Sequence, residues 1–582
     1  MVLIDIVIPI AICACVLASL PGRPQPLTDR WIFVMRDLTQ PESFERTISL
    51  VPEAAACGCT AMVLSDRAFQ RLGELSSSER ASYRALQAKL TSRGMDLIPT
   101  VMLMGYGRSI LRHDPNLAEG LPVRDALFQA QDGGAVHFPD PPPALVDGSF
   151  EISDGNRLTR WEGQDDAGRS IFVDGEVCHS GGRSLRMQDF PPAAEDEPQS
   201  RVWQTVTVGP FRQYHLSVWA GTEGLEAPNG TVSVCVRPVA NPKQQLNLSS
   251  FALAPTQDRK QYHIVFNSLD NDELCVYVGT WGARRGRVWW DDVELEEIAL
   301  LNVLRRPGCH LTVRGEDDVL YEEGRDFQSV RDPSLDANEI YHAPPGFQLP
   351  QGTRIRAGES LRVSYYHLVV MWRAQTVNCL SEPVIYELME EEIRRVDDLL
   401  HPRAFFMQHD EIRVANWDEV CRGRGLTPGE LLAENVHRCI QIIRGPRPDA
   451  DLWVWSDMFD PHHNAGPGFP ERDGPFFLVD GSLERSWEGL SSEVGIVNWN
   501  SERPADSAAW FSQRGHRQIL AGYYDADEDG GAMGDWLHAA LDLPGVAGAM
   551  FTTWMDNYSN LECWAHRVWG DAGRRSEIIE GV

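Results

Sequence analysis

The chain alternates between two kinds of segment, and that alternation restricts its fold more than any other feature. "WIFVMRDL" (31–38), "TAMVLSD" (60–66) and "MDLIPTVMLMGYG" (95–107) are short, nearly continuous apolar runs. Between them lie "PESFERTISLVPEAAACG" and "SSERASYRALQAKLTSRG", which carry helical spacing, the second stopping at Gly94. A strand that is apolar on successive residues has both faces covered, as parallel strands under helices do. The opening is therefore β-α-β-α-β. The pattern stops after 107 and resumes at "LSEPVIYELMEEEIRRVDDLL" (380–400), read as a helix with Ser381 as N-cap and Pro383 in its first turn. "RAFFMQHDE" is strand four. A helix around 427–444 leads to "DLWVWSDMF" (451–459), then "EVGIVNWN" (493–500), "RQILAGYYDAD" (517–527) and "GVAGAMFTTWMDNY" (545–558). Eight such strands in alternation with helices predict an α/β fold, a closed (β/α)8 barrel interrupted after its third strand.

The interruption reads as all-β. "HSGGRSLRM", "RVWQTVTV", "YHLSVWAG" and "TVSVCVRP" are short alternating runs separated by turn residues, the pattern of a sandwich. With 582 residues, several domains are expected. The division is a barrel portion over 26–135, a sandwich over 136–298, a small β unit over 299–365, and the rest of the barrel over 366–582. The opening "LVDGSFE" and closing "RVWWDDVELEEI" of the sandwich resemble the jelly-roll carbohydrate-binding modules attached to glycan-degrading enzymes. That resemblance implies a structural calcium at Glu151 and Asp292, and it leaves open whether the sandwich binds sugar or serves as a spacer.

Residues 1–25 read as a signal peptide or N-terminal anchor, an apolar segment ended by "PGRPQP". The expectation is a secreted, periplasmic or cell-surface protein, with no later run long enough to span a bilayer. The twelve cysteines form no framework and sit mostly in apolar contexts, as buried thiols do, with one or two disulfides open if the chain is exported. The formal charge of −31 repels phosphate backbones and argues against a nucleic-acid partner.

Chemistry in barrels of this kind sits at the C-terminal ends of the strands. The polar breaks fall there: Arg36 and Asp37, Asp66, the adjacent pair Asp410 and Glu411, Asp457, Trp499, Tyr523 to Asp525, Trp554 and Asp556. Any one of these aspartates alone could be a helix cap. Together, acids and tryptophans around one mouth suit a sugar, whose apolar face stacks on indole while its hydroxyls bond to carboxylates. Adjacent residues at a strand end point in opposite directions, so Asp410 and Glu411 are expected to do different jobs. A second carboxylate nearby raises the pKa of the first, which a proton donor needs.

"FMQHDE", "YYD", "WMD" and "LSD" then carry a resemblance to the family 20 glycoside hydrolases, the β-N-acetylhexosaminidases, over roughly 30–110 and 366–570. Phe406 stands where that family's strand-four motif has histidine, and Gln408-His409 where it has two glycines. The resemblance implies hydrolysis with retention, assisted by the substrate's own 2-acetamido oxygen. It implies Glu411 as general acid/base, Asp410 as the group orienting the acetamido N–H, and Tyr523 as donor to the acetamido oxygen. Arg36, Asp66, Asp457, Asp525 and Asp556 would hold the sugar, with Trp455, Trp499 and Trp554 walling it. No cofactor is implied for catalysis, and the expected partner is an oligo- or polysaccharide. Two other readings stay open: a retaining glycosidase with Asp457 or Asp556 as protein nucleophile, and a glycan-binding protein without turnover.

Overall fold

The computed structural model describes residues 27–190, 199–228, 230–247, 251–371, 375–469, 477–522, 524–525 and 532–570. The N-terminal segment, Cys13 and Cys15 and Tyr523 lie outside them. Eight parallel strands close a barrel in sequence order: β1 (Asp29–Met35), β2 (Ala61–Ser65), β3 (Asp96–Val101), β4 (Ala404–Met407), β5 (Asp451–Trp455), β6 (Val494–Asn498), β7 (Gln518–Leu520) and β8 (Val546–Phe551). The ring closes where β1 pairs β8, Trp31 opposite Met550. The period-two alternation sorts each strand: Trp31 and Phe33 fill the barrel interior with Ile98, Phe406, Trp453 and Val497, while Ile32 and Val34 face the helices.

Apart from the single turns Arg108–Leu111 and Glu419–Arg422, the α-helices are α1 (Pro41–Ala56), α2 (Ser77–Thr91), α3 (Pro383–Leu400), α4 (Pro428–Arg444), α5 (Pro504–Gln513), α6 (Ala532–Ala540) and α7 (Leu561–Trp569) among the described residues. Ser76 with Glu79 and Thr427 with Glu430 form capping boxes at α2 and α4, each satisfying two amides that the first turn leaves unpaired. At α3 the cap is Glu382, whose carboxylate accepts from the Val384 N–H, and not Ser381 as its sequence context predicts. Between β5 and β6 the described residues hold two 3-10 turns, Asp457–Phe459 and Ser486–Gly489, and a two-residue strand, Leu478–Val479, paired with Val414–Ala415.

The sequence between β3 and α3 folds as two β units. The sandwich packs a five-stranded antiparallel sheet (order 257–267, 213–226, 285–298, 184–188, 171–174) on a four-stranded one (232–238, 273–281, 199–207, 163–164). Tyr214, Leu216 and Val218 alternate inward from one sheet and meet Val234, Val276 and Val278 from the other. The second unit is a six-stranded sheet, and it is larger than 299–365. It also takes Leu121–Gln131, from the stretch read as barrel, and Gly134–Phe138, which straddles the boundary read between barrel and sandwich. Those two strands form a hairpin over Asp132-Gly133, with Gln131 paired to Gly134 and Gly133 at φ +81. Such a two-residue loop needs positive φ, and Asp-Gly supplies it. The longer strand then pairs with Ser360–His367, so the sheet joins residues far apart in the chain. The neck of the whole insertion is zipped by Glu119 N–H to Val377 O (3.0 Å) and Cys379 N–H to Leu117 O (3.1 Å).

One buried carboxyl in this layer titrates out of place. Glu392, on α3, accepts from Gln70 Nε2 (2.5 Å) and from the Met102 N–H (3.4 Å). Burial pushes it up to about 8. The folded state thus keeps a proton that the unfolded chain releases above its ordinary value of 4.5. Its contribution is complete below that value and is lost as pH rises towards 8. Glu392→Gln, which imitates the protonated form, is expected to raise the melting temperature at pH 8 and to flatten the fall in stability between pH 5 and 8. The effect is on the order of a few kcal/mol in urea titrations, since one pKa unit is worth about 1.4 kcal/mol.

Candidate active site

The C-terminal ends of all eight strands surround one cavity of about 850 Å³. β1 brings Met35, β2 Ser65, β4 Gln408 with Asp410 and Glu411, β5 Trp455 with Asp457, β6 Trp499, β7 Asp525, and β8 Trp554 with Met555; Leu103 and Tyr106 enter from the chain after β3. That size falls in the upper part of the range for small-molecule sites.

Beyond Met407 the β4 chain leaves the sheet. Glu411 sits at φ +46, in the left-handed region, and this turn breaks the strict alternation so that both Asp410 and Glu411 line the cavity. The turn is braced by a close backbone approach. A Cβ on Gly105 would lie 2.0 Å from the Asp410 carbonyl oxygen, so only glycine fits there. Gln375 Nε2 donates to the Glu411 carbonyl (3.1 Å), and Asp457 Oδ2 accepts from the Glu411 N–H (3.1 Å).

The carboxyl groups differ in environment. Glu411 is half-buried; its Oε1 pairs with Arg413 Nη2 at 2.7 Å, and its Oε2 accepts from the Tyr106 hydroxyl. Burial, and then the neighbouring Asp457 and Glu411, push the Asp410 carboxyl well above the usual carboxylate range. Burial also pushes Asp457 up to about 7, against the pull of the Glu411 amide. The charge of Asp457 opposes ionisation of Asp410, so these two buried acids retain a proton near neutral pH. Asp410 Oδ1 and Asp457 Oδ1 are buried without a hydrogen-bond partner among the described residues. So is the Trp455 indole N–H. A buried polar atom without a partner costs about 1–3 kcal/mol, and a ligand that supplies the partner recovers it.

Three tryptophans form the wall. Trp455 and Trp499 meet edge to face at 5.6 Å, and Trp499 and Trp554 at 5.7 Å. Phe33 and Phe406 support Trp455 from the barrel interior at 5.8 and 5.0 Å. Asp525 also faces the cavity, but it accepts from the Thr553 hydroxyl, from the Trp554 N–H (2.6 Å) and from the Met555 N–H (3.2 Å). Its first task is to fix the loop that carries Trp554.

Three residues expected to hold the sugar are otherwise engaged. Asp66 caps the turn after β2: its Oδ1 accepts from the Ala68 N–H (2.9 Å), and its Oδ2 from the Leu38 N–H (2.9 Å) and the Tyr83 hydroxyl (2.7 Å). It is buried away from the cavity, and burial pushes it up to about 6. Arg36 and Asp556 hold one another at 2.7 Å, with Arg46 on the second Asp556 oxygen, and neither lines the cavity. Lying outside the cavity lining, Asp556 is not placed to act as its nucleophile. The expected calcium ligands both contact one loop of the sandwich. Glu151 Oε1 accepts from the Gly182 N–H (2.8 Å) and the Arg183 N–H (3.0 Å), while Asp292 pairs with His179 (2.6 Å) and Ser180 (2.8 Å). His409, next to the acids, is a neutral core residue on Asn435 (3.1 Å), pushed down to about 4 by burial.

Tyr106, Gln375 and Arg413 were not singled out from sequence. Arg413 lies two residues beyond Glu411, the one local hint; Tyr106 and Gln375 reach the acid only through the fold. The sandwich also enters the cleft. Ala227 and Pro228, at the end of its strand Gln213–Glu226, form part of the cavity rim with Met35 and Met555, which are 47% and 55% exposed.

No protein-family profile and no curated protein matches the sequence. Among solved structures, a chitobiase from Flavobacterium johnsoniae aligns over 95% of this chain and 51% of its own, at 10% identity and a TM-score of 0.37. The chain thus spans about half the length of that enzyme. The family 61 carbohydrate-binding module solved with β-1,4-galactotriose aligns over 26% of this chain and 97% of its own (14% identity, TM-score 0.20). A xylan-binding domain from Paenibacillus barcinonensis aligns over 26% and 92% (14%, 0.20). None of these likenesses is close enough to carry an activity across. The fold itself, an interrupted (β/α)8 barrel with a β-sandwich in the interruption, stands on the closed strand order.

Asp66→Ala separates the cap from a sugar ligand. It leaves two amides and a phenol unpaired in the core and is expected to cost about 2–4 kcal/mol in urea unfolding, while sugar affinity of the folded fraction, measured by calorimetry, stays within twofold.

Proposed function

We propose that this protein is a glycoside hydrolase that removes 2-acetamido sugars with retention, using the substrate's own acetamido oxygen as nucleophile. The observation that carries this reading is the pair of unsatisfied atoms in the aromatic wall: an acceptor, Asp410 Oδ1, and a donor, Trp455 Nε1. An amide offers the complementary pair, an N–H and a carbonyl oxygen, and the tryptophans around it suit its methyl group and the sugar face.

In this reading Glu411 gives a proton to the glycosidic oxygen. The acetamido oxygen attacks the anomeric carbon as the bond to the leaving group breaks, producing an oxazolinium ion and the free alcohol. Asp410 accepts from the acetamido N–H and offsets the positive charge that builds there. Water then adds to the anomeric carbon, its proton passing to Glu411, and the bond to the amide oxygen breaks.

The partners of Glu411 favour a second reading. A carboxylate held by Arg413 on one oxygen and Tyr106 on the other suits an attacking anion. Glu411 would then form the glycosyl-enzyme bond, and Asp457, which keeps its proton to about pH 7, would protonate the leaving group.

A panel of aryl glycosides decides between them. The first reading expects turnover of 2-acetamido glycosides, inhibition by a thiazoline analogue of the oxazoline, and a loss of 10²-fold or more in kcat for Glu411→Gln with KM little changed. Turnover of 2-hydroxy glycosides only, with a 2-fluoro glycoside trapped on Glu411 by mass spectrometry, selects the second. Binding without turnover of any member removes both. In the second reading kcat/KM falls as pH rises above about 7, where Asp457 loses its proton. Asp457→Asn, which has no acidic proton to give, is then expected to cost about 10²-fold or more in kcat.

A further inference from the structure

At the neck of the insertion four ligand-bearing side chains meet in the interior. Glu119 stands where the chain enters the second β unit, and Cys379 where it returns towards α3. Asp418 and Cys421 come from the loop between β4 and α4. All four are buried, and one ligand atom from each lies within 4.8 Å of the other three. Among the described residues this is the one group of three or more His, Cys, Asp or Glu so arranged.

We propose that these four side chains form a structural site for a thiophilic divalent cation of the zinc class, clamping both ends of the insertion to the barrel. The spacing fits. Zinc bonds of about 2.3 Å to sulfur and about 2.0 Å to oxygen, at the tetrahedral angle, put two sulfurs about 3.8 Å apart and a sulfur and an oxygen about 3.5 Å apart. Cys379 Sγ and Cys421 Sγ are 3.5 Å apart, and Cys421 Sγ and Glu119 Oε2 are 3.4 Å apart. The donor set of two sulfurs and two carboxylate oxygens suits zinc over calcium or magnesium, which prefer all-oxygen shells.

The groups behind the ligands are also in place. Glu119 Oε1 accepts from the Trp417 N–H (2.7 Å) and the Asp418 N–H (3.3 Å), which leaves Oε2 directed at the cluster. Asp418 Oδ1 caps the Cys421 N–H (3.0 Å). Its Oδ2 accepts from Arg306 Nη2 at 2.6 Å, and the same guanidinium donates to the Asn116 and Ala118 carbonyls (2.7 and 3.0 Å). Arg306 thus orients Asp418 from outside and offsets part of the negative charge that two thiolates and two carboxylates would bring around one dication. The ion would add a cross-link to a neck already zipped by backbone bonds, and closing so long an insertion is where a clip contributes most.

The test uses the full chain, purified without chelators, exchanged against micromolar zinc or cobalt(II), and passed over a metal-scavenging resin. Elemental analysis is expected to find one tightly held zinc per chain, and cobalt loading to give the near-ultraviolet thiolate charge-transfer band. Cys379→Ser and Cys421→Ser are expected to lose both signals, and chelation to lower the melting temperature of the parent. Should either variant fail to fold, Glu119→Gln, which keeps both sulfurs, is expected to weaken zinc binding at least tenfold while retaining the band. A parent chain free of metal with no cobalt band overturns the proposal. So does an intact mass two daltons low from a Cys379–Cys421 disulfide, or a metal content unchanged in folded variants. Glycosidase assays play no part in these readings, so failure here and failure of the hydrolase reading are separate events.

Discussion

The contact on which the site depends is between two stretches of backbone. The chain leaving β3 passes so close to the chain leaving β4 that Gly105 touches the Asp410 carbonyl, with no room for a side chain between them. That approach coincides with the left-handed turn at Glu411, which sends two adjacent acids into one cavity when a continued strand would have separated them. It also sets Tyr106, one residue beyond Gly105, against Glu411. The segment that begins the insertion is therefore the same segment that supports the carboxylate pair.

This coupling explains how the barrel tolerates so large an interruption. The insertion leaves and returns on the mouth side of β3, and its ends are held by short-range backbone bonds at 117–119 and 377–379. Gln375, on the returning end, donates to the Glu411 carbonyl and accepts from Arg413 (3.2 Å). The sandwich then comes back over the cleft through Ala227 and Pro228. The inserted chain thus contributes support below the acids and part of the rim above them, and a substrate entering the mouth meets both barrel and insertion.

The barrel was legible because parallel strands covered on both faces must be apolar at successive residues; "WIFVM", "AMVLS" and "DLWVW" have no other comfortable place in a soluble fold. The acid pair was legible for the converse reason, since carboxylates ending an apolar run need a task or a partner. The hairpin at 121–138 was less visible. Its Asp-Gly turn is a good signal, but its pairing partner Ser360–His367 lies far away in sequence, and proximity to β3 favoured the barrel. Asp66 and Asp556 show the sharper limit. A carboxylate at a strand end looks the same in sequence whether it caps amides, pairs an arginine or meets a ligand. Only the positions of Leu38, Tyr83, Arg36 and Arg46 separate these cases. Tyr106 and Arg413 were hidden likewise, because each acquires meaning only from the oxygen it reaches.

The cavity's electrostatics follow from which acids have been neutralised and how. Asp525 has three donors from the β8 loop, and Glu411 has a guanidinium and a phenol. Asp410 and Asp457 are desolvated by burial and, on one oxygen each, meet no partner among the described residues. Desolvated acids hold their protons to higher pH, so this half of the mouth is less negative than its composition implies. A neutral ligand that both donates and accepts satisfies such acids better than a cation or an anion does, since either charge would disturb the retained proton. That preference, set by burial and not by any single residue's identity, points the mouth towards polar, uncharged ligands such as sugars and amides, on a protein whose net charge would otherwise draw cations.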